Sequence, residues 1–396
     1  MKSSNNNLNA GAEFETVPSE ESEEIDEIVE LGVSLQDKRA QNLASQGGKI
    51  LRGVHAKSHG CVKAEFTVRD DIEEKYRVGL FAQPGKKYEA WIRFSNADVL
   101  VEHDLKDGKN GSRGMAIKVM DVAGEMLSKD GAMSNQDFLM VNTPEFAFAN
   151  VRDYLRLNRV LDLSDAGNDA NPYFVPLQLA ALGEPEEGES ADKTAKRNML
   201  RATMAAIPAF NGFTKADLAG TSASLNVIKS KIEPKTVRNP LEVQYFGAAP
   251  FLFGAGKAMK FSAAPRIAPE QSPFLDVTSD NPSGDYLSEA LADAMLGNED
   301  ICFDFRIQIR DANDDVLNIE NATTVWPDEE ARYESVAKVT IKVPQTPHTE
   351  EERRHCEQLA FSPWHALAAH RPLGGINRLR RKVYASSAKH RCATGY

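Results

Sequence analysis

The chain is short of cysteine, with four in 396 residues (Cys61, Cys302, Cys356 and Cys392) and no CxxC pair among them. That spacing offers neither a zinc site nor a disulfide scaffold, so a reducing cytoplasm is the expected setting. Long apolar runs are also missing, and the N-terminus is polar and acidic rather than basic and then apolar. Neither a transmembrane helix nor a secretory signal is expected. Positive charge is scarce: 47 basic residues face 58 acidic ones, for a formal charge of −11. Residues 1–30 hold nine of the acids, from Glu13 to Glu30, and one base, Lys2, which leaves the rest of the chain close to neutral. A broad basic surface, and with it a nucleic-acid partner, is therefore not expected. No internal repeat is visible.

What the sequence does have is enough apolar material for a large core, with 41% hydrophobic residues and eighteen Phe. Residues 1–24 are rich in Ser, Asn and Glu and have little to bury, which predicts a disordered acidic tail. Glu24–Ala44 carries apolar residues at helical spacing and suggests a docking helix. Short alternating segments follow at 61–69, 88–95, 112–121, 136–142, 301–310 and 335–343, with a further pair around a glycine turn in 241–262. Their β-branched and aromatic content, bounded by Gly, Asp, Asn or Pro, predicts antiparallel strands. Val151–Leu163, Thr194–Ile207 and Ser222–Ile232 read as helices separated by a polar stretch at 164–192. Thr349–Arg391 reads as helical, with a break at Pro372–Gly375. The expected architecture is α+β: an antiparallel β-barrel in one domain over 25–396, interrupted by a helical insertion at about 150–235. The apolar stretch from Met199 to Phe210 can line an adaptable channel or simply pack on the barrel.

Two segments carry candidate chemistry. In Arg52-Gly-Val-His55-Ala-Lys-Ser-His59, the two histidines are four apart, but no glutamate completes an HExxH pattern and Gly60 suggests a turn, so zinc is disfavoured. In Arg378-Leu-Arg380-Arg-Lys-Val-Tyr384, a helix places Arg380 one turn before Tyr384 and Arg391 about two turns after it. This is either a solvated basic face or a phenol made acidic enough to ligate iron, since a neighbouring guanidinium favours the phenolate.

Six segments together resemble the catalases, in the order found there: RGVHAKSHGCVKAEFTV, RFSNAD with GSRGMAIKV, FLMVNTPEF, YFGAAPFLFGAGKAMKF, TTVWPDEEARYESVAKVTI, and EQLAFSPWHALAAHRPLGGINRLRRKVY. The resemblance runs from about 49 to 391. It implies a catalase-like barrel with a C-terminal helix carrying the ligand to haem b, whose ferric iron would be held by Tyr384. It also implies that His55 is the distal acid–base and Asn142 the residue orienting bound peroxide. Arg380 would hold the phenolate, and Arg52, Arg113 and Arg391 would bind the haem propionates. The implied partners are a peroxide or hydroperoxide and an electron donor, and the implied assembly is a homo-oligomer such as a dimer.

Departures from the catalase pattern accompany the likeness. The chain stops twelve residues after Tyr384, and Ala388 stands where typical catalases have a His. The HRPLGG segment is more like the small catalase-related haem proteins, a group that includes peroxidases and allene oxide synthases. Val54 before the distal His favours peroxide reduction over rearrangement. The expected function is therefore a peroxidase with weak catalase activity. A fatty-acid hydroperoxide isomerase or lyase, and a non-catalytic haem-binding or sensor protein, are the alternatives.

Overall fold

The structure is a computed structural model that describes residues 11–42, 50–97, 104, 111–127, 134–165, 167, 169–233, 237–266, 283–311, 318–327, 329 and 331–393. Nine strands follow one another as β1 (Ser58–Val68), β2 (Lys87–Asn96), β3 (Arg113–Val119), β4 (Gln136–Val141), β5 (Tyr245–Gly247), β6 (Phe251–Leu252), β7 (Lys257–Pro265), β8 (Ile301–Asp311) and β9 (Glu334–Ile341). Every pairing is antiparallel, and β1 is hydrogen-bonded on one side to β2 and on the other to β9. The short β5 pairs with both β4 and β7 and closes the ring, so eight strands form a barrel and β6 extends the same side of β7.

Closure follows from alternation. On β2 to β4, Ile92, Phe94, Met115, Ile117, Phe138 and Met140 point inward and are almost completely buried. The rings of Phe66, Phe138, Phe261 and Phe305 meet at the centre, with centroids 4.6 to 6.2 Å apart. The interior is thus a packed aromatic core, and ligands must be held outside it or at its ends.

The helices cover the outside. They are α1 (Glu21–Asn42), α2 (Val151–Asp162), α3 (Val175–Ala181), α4 (Ala191–Ala206), α5 (Lys215–Val227), α6 (Tyr286–Met295), α7 (Glu350–Gln358) and α8 (Gly375–Ala393). The insertion has its own small core of Val160, Tyr173, Ile207 and Phe210. The Met199–Phe210 stretch therefore packs within the insertion rather than on the barrel, and Met199 is exposed. Among the described residues, no helix is long and apolar enough to cross a membrane.

Three expectations are corrected here. Residues 11–24 are not a disordered tail, while residues 1–10 lie outside the described residues. The Glu15 side chain is buried between Arg371 and Arg378, and Arg378 also pairs with Glu21 (2.6 Å) and Glu320 (2.8 Å). Further along α1, Asp26 pairs with Lys382, Asp37 with His390, and Glu24 with Arg152. The acidic run is therefore ordered by bases on α2 and α8, which flank it in space. Second, Cys61 on β1 and Cys356 on α7 form a disulfide across a sequence separation of 295. Third, residues 359–374 hold one short 3-10 turn, Ala368–His370, rather than a continuing helix, because Pro363, Pro372 and Gly374 interrupt the pattern.

Candidate functional site

Strand parity decides which side chains face the gap between the barrel and α8. On β2, the residues opposite in parity to Ile92 and Phe94 are Trp91, Arg93 and Ser95. On β3 they are Gly114, Ala116 and Lys118, and on β4 Asp137, Leu139 and Val141. In the ladder, Ser95 lies opposite Gly114, and Gly114 lies opposite Val141. These three positions form one row on the outer surface.

His55, in the loop before β1, lies over that row. Its Nδ1 is 3.0 Å from Ser95 Oγ. The ring also sits so close to Gly114 that a β-carbon there would come within 2.5 Å of Cε1. His55 has φ 56°, a left-handed conformation that costs roughly 1 kcal/mol or more for a non-glycine residue. Part of the ring remains reachable by solvent, but the surrounding protein dominates its titration. Burial first, then the charges of Arg93, Arg380 and Arg52, lower its pKa from 6.5 to about 3. The imidazole is neutral at physiological pH.

Beside His55 is a cluster of cations. Arg93 is 3% exposed, and its Nε is buried without a partner. Arg52 pairs with the Glu357 carboxylate and donates to the Leu359 carbonyl (2.8 Å). Arg391 donates to the Glu357 carbonyl (2.7 Å). Burial, and then repulsion from Arg52, depress the Arg93 pKa from 12.5 to about 9, with Arg391 adding to the effect. Glu357 is held below the usual carboxylate range by Arg93, Arg52 and Arg391, against the opposing effect of its burial. Three guanidinium groups against one carboxylate leave a surplus of two positive charges.

Across the gap, one face of α8 packs Ile376 and Leu379 against Ile25, Ile28, Val151 and Leu155. The adjacent face carries Asn377, Arg380 and Tyr384 at helical spacing. The Arg380 guanidinium lies over the Tyr384 ring, 5.3 Å from its centroid, and donates to Asn377 Oδ1 (3.0 Å). Burial first, and then the nearby Tyr384 phenol, raise the pKa of Tyr154 on α2.

His55, Arg52, Arg380, Tyr384 and Arg391 thus gather around one gap. Two expected site residues do not. Arg113 shares parity with the inward Met115 and Ile117, and its guanidinium donates to the carbonyls of Ser112 (2.9 Å) and Asp104 (2.7 Å). Asn142 likewise faces away from His55; its Nδ2 donates to the Gly111 carbonyl and its Oδ1 accepts from the Arg113 amide (2.8 Å). Arg93 and Ser95, both within the WIRFS strand, face the gap beside His55 in their stead. Their alternation with the buried Ile92 and Phe94 was the available signal. His59 is also excluded from the gap, because it is buried against Asn96 (3.0 Å).

The donor set fits a haem. A surplus of two positive charges, with a buried Arg93 Nε lacking a partner, matches two propionates. A half-buried phenol under a guanidinium suits ferric iron.

Comparison with known proteins agrees with this geometry. Residues 43–161 match the family model described as Catalase, a segment that includes Arg52, His55, Arg93, Ser95, Gly114 and Val141. The chain is 31% identical over 121 residues to a catalase of Staphylococcus haemolyticus, covering 31% of this chain and 22% of that protein. It is 32% identical over 110 residues to a catalase-like protein of Staphylococcus aureus, covering 28% and 21% respectively. These alignments span only about a fifth of the relatives' lengths. In three dimensions, catalase A from Saccharomyces cerevisiae superposes with a TM-score of 0.58 at 16% identity, covering 88% of this chain and 63% of that one. A bacterial catalase gives 0.55 at 18% identity, covering 88% and 59%. The family segment covers the His55 side of the site, and the likeness to the two solved catalases extends over 88% of the chain as a likeness of fold.

Proposed function

We propose that the protein is a haem-dependent oxidoreductase that reduces hydrogen peroxide or an organic hydroperoxide at the expense of an electron donor, with weak dismutation of hydrogen peroxide. The observation that carries this reading is the neutral His55 imidazole, pinned by Ser95 over Gly114 beside a cation cluster suited to two carboxylates. When bound, a haem would supply redox-active iron; Tyr384 would hold that iron through its phenol oxygen, and Arg52, Arg93 and Arg391 would pair with the haem carboxylates.

The protein's own part is proton management. With Nδ1–H donating to Ser95 Oγ, His55 Nε2 is left unprotonated. Nε2 would take the proton from one peroxide oxygen and return it to the other, so that the leaving group departs as water or an alcohol. Overall, ROOH takes two electrons from the donor and two protons, its O–O bond breaks, and ROH and water form. Arg380, lying over the Tyr384 ring, would offset negative charge on the oxygen that holds the iron.

The experiment is to supply the haem-loaded protein with hydrogen peroxide and with an organic hydroperoxide, each with and without a phenolic dye. Dye oxidation well above oxygen release is expected. Rapid oxygen release with negligible dye oxidation would make it a true catalase. A rearranged lipid product formed without a donor would make it an isomerase or lyase, and no turnover would leave a haem-binding protein.

A further inference from the structure

We propose that Val141 is a specificity-determining residue, selecting hydroperoxides with an apolar organic group over hydrogen peroxide. The inference rests on the peroxide-reducing reading above and adds the substrate class.

The row beside His55 carries the argument. Ser95, Gly114 and Val141 are consecutive partners across β2, β3 and β4 on the outer face. His55 covers Gly114 and bonds Ser95, so the next side chain along the row is the half-buried isopropyl group of Val141. The neighbouring amide, Asn142, has the opposite parity and holds the Gly111 carbonyl and the Arg113 amide instead. Ala116 and Leu139, themselves ladder partners, continue the outer face from this row and are also half-buried. The wall beside the catalytic imidazole is therefore apolar.

This wall treats the two kinds of peroxide differently. Hydrogen peroxide carries a hydroxyl at each end. His55 serves one of them, and a second placed against Val141 loses its water without gaining a partner, a penalty of roughly five- to a hundredfold in affinity. An organic hydroperoxide has one hydroxyl for His55 and an alkyl group for the wall. Each methylene removed from water there gains about fourfold. The reaction is the one already written: with a phenol as donor, ROOH and two ArOH give ROH, water and two phenoxyl radicals.

The test compares the wild type with Val141→Asn, and with the near-isosteric Val141→Thr in case the amide disturbs folding. Haem-loaded proteins are assayed with hydrogen peroxide and with cumene hydroperoxide, using one phenolic donor. Binding of 2-phenyl-2-propanol, the alcohol product, is measured separately by calorimetry. With haem content unchanged, both variants should lower the ratio of kcat/KM for cumene hydroperoxide to that for hydrogen peroxide, by roughly tenfold or more in Val141→Asn. Both should also weaken alcohol binding. An unchanged ratio in an active enzyme, with unchanged alcohol affinity, overturns the role of Val141 and leaves the peroxide-reducing reading intact. If the wild type consumes neither peroxide, that reading fails. Alcohol affinity then decides the inference alone: weaker binding in the variants supports an apolar pocket at Val141, and equal binding refutes it.

Discussion

Replacing Arg93 with Met should make the haem-free protein more stable and its grip on haem weaker. Arg93 is held in the haem-free protein by long contacts, 3.5 Å to the Ala56 carbonyl and 3.6 Å to the Glu357 carboxylate. Its pKa falls from 12.5 to about 9, which sets a ceiling of about 5 kcal/mol on the penalty against the charged form. Relaxation and water entry reduce this to an expected gain of about 1–2 kcal/mol for a Met of similar length. In the loaded protein, the same substitution removes a charge-assisted bond to a propionate worth roughly 1.5–3 kcal/mol. Haem dissociation should therefore rise by roughly ten- to a hundredfold. Urea unfolding of the haem-free protein gives the first quantity, and transfer of haem to an excess of apomyoglobin gives the second. A haem-free protein destabilised by Arg93→Met, with haem retention unchanged, would refute the idea that this cluster is built for an external anion.

Three further outcomes are expected. Gly114→Ala should displace the His55 ring, since the new methyl would lie 2.5 Å from Cε1, and peroxide turnover should fall by roughly 10²–10⁴ with haem uptake retained; full activity in that variant would show that His55 is not used where it lies. Arg378→Met leaves Glu15, Glu21 and Glu320 facing one another without their shared cation, and should destabilise the protein by about 2–4 kcal/mol in urea unfolding. Burial lowers the pKa of His59 to about 3 and of His370 to about 4, so both stay neutral in the folded chain while the unfolded chain takes up protons below about pH 6.5. Stability of the haem-free protein should accordingly decline as pH falls from about 6.5 to about 4, by about 1.4 kcal/mol per pH unit for each histidine, and a flat profile over that range would count against their burial as neutral groups.

The barrel was legible because its strands alternate: each segment expected from apolar periodicity became a strand with its apolar side on the core. Three helices of the insertion, α2, α4 and α5, were legible at the 3.6-residue period, whereas α3 lies in the stretch read as a polar separator. What could not be read were relations between distant positions. The acidic run looked like a solvated tail because Arg371 and Arg378, the partners of Glu15, stand more than 350 residues away. The Cys61–Cys356 pairing was hidden in the same way.

Of the expected site residues, the structure brings some to one gap and turns others away from it. His55 and Tyr384 lie in segments whose surroundings identify them, and the structure brings both to one gap. Arg113 and Asn142 were chosen from motif text, yet a strand turns every second side chain away, and both belong to the wrong parity. Applying that rule to the WIRFS and FLMVN segments selects Arg93, Ser95 and Val141 instead. Gly114 is meaningful only once a ring is seen to lie on it.

The most direct test of the account is haem titration of the wild type and of Tyr384→Phe, followed by absorption and electron paramagnetic resonance spectra. The wild type should bind one haem per chain as high-spin ferric iron with a phenolate ligand. Tyr384→Phe keeps the ring and removes the only proposed ligating atom, so it should lose the haem or the phenolate signature. A variant that binds one haem with an unaltered spectrum would contradict the assignment of Tyr384 as the iron ligand.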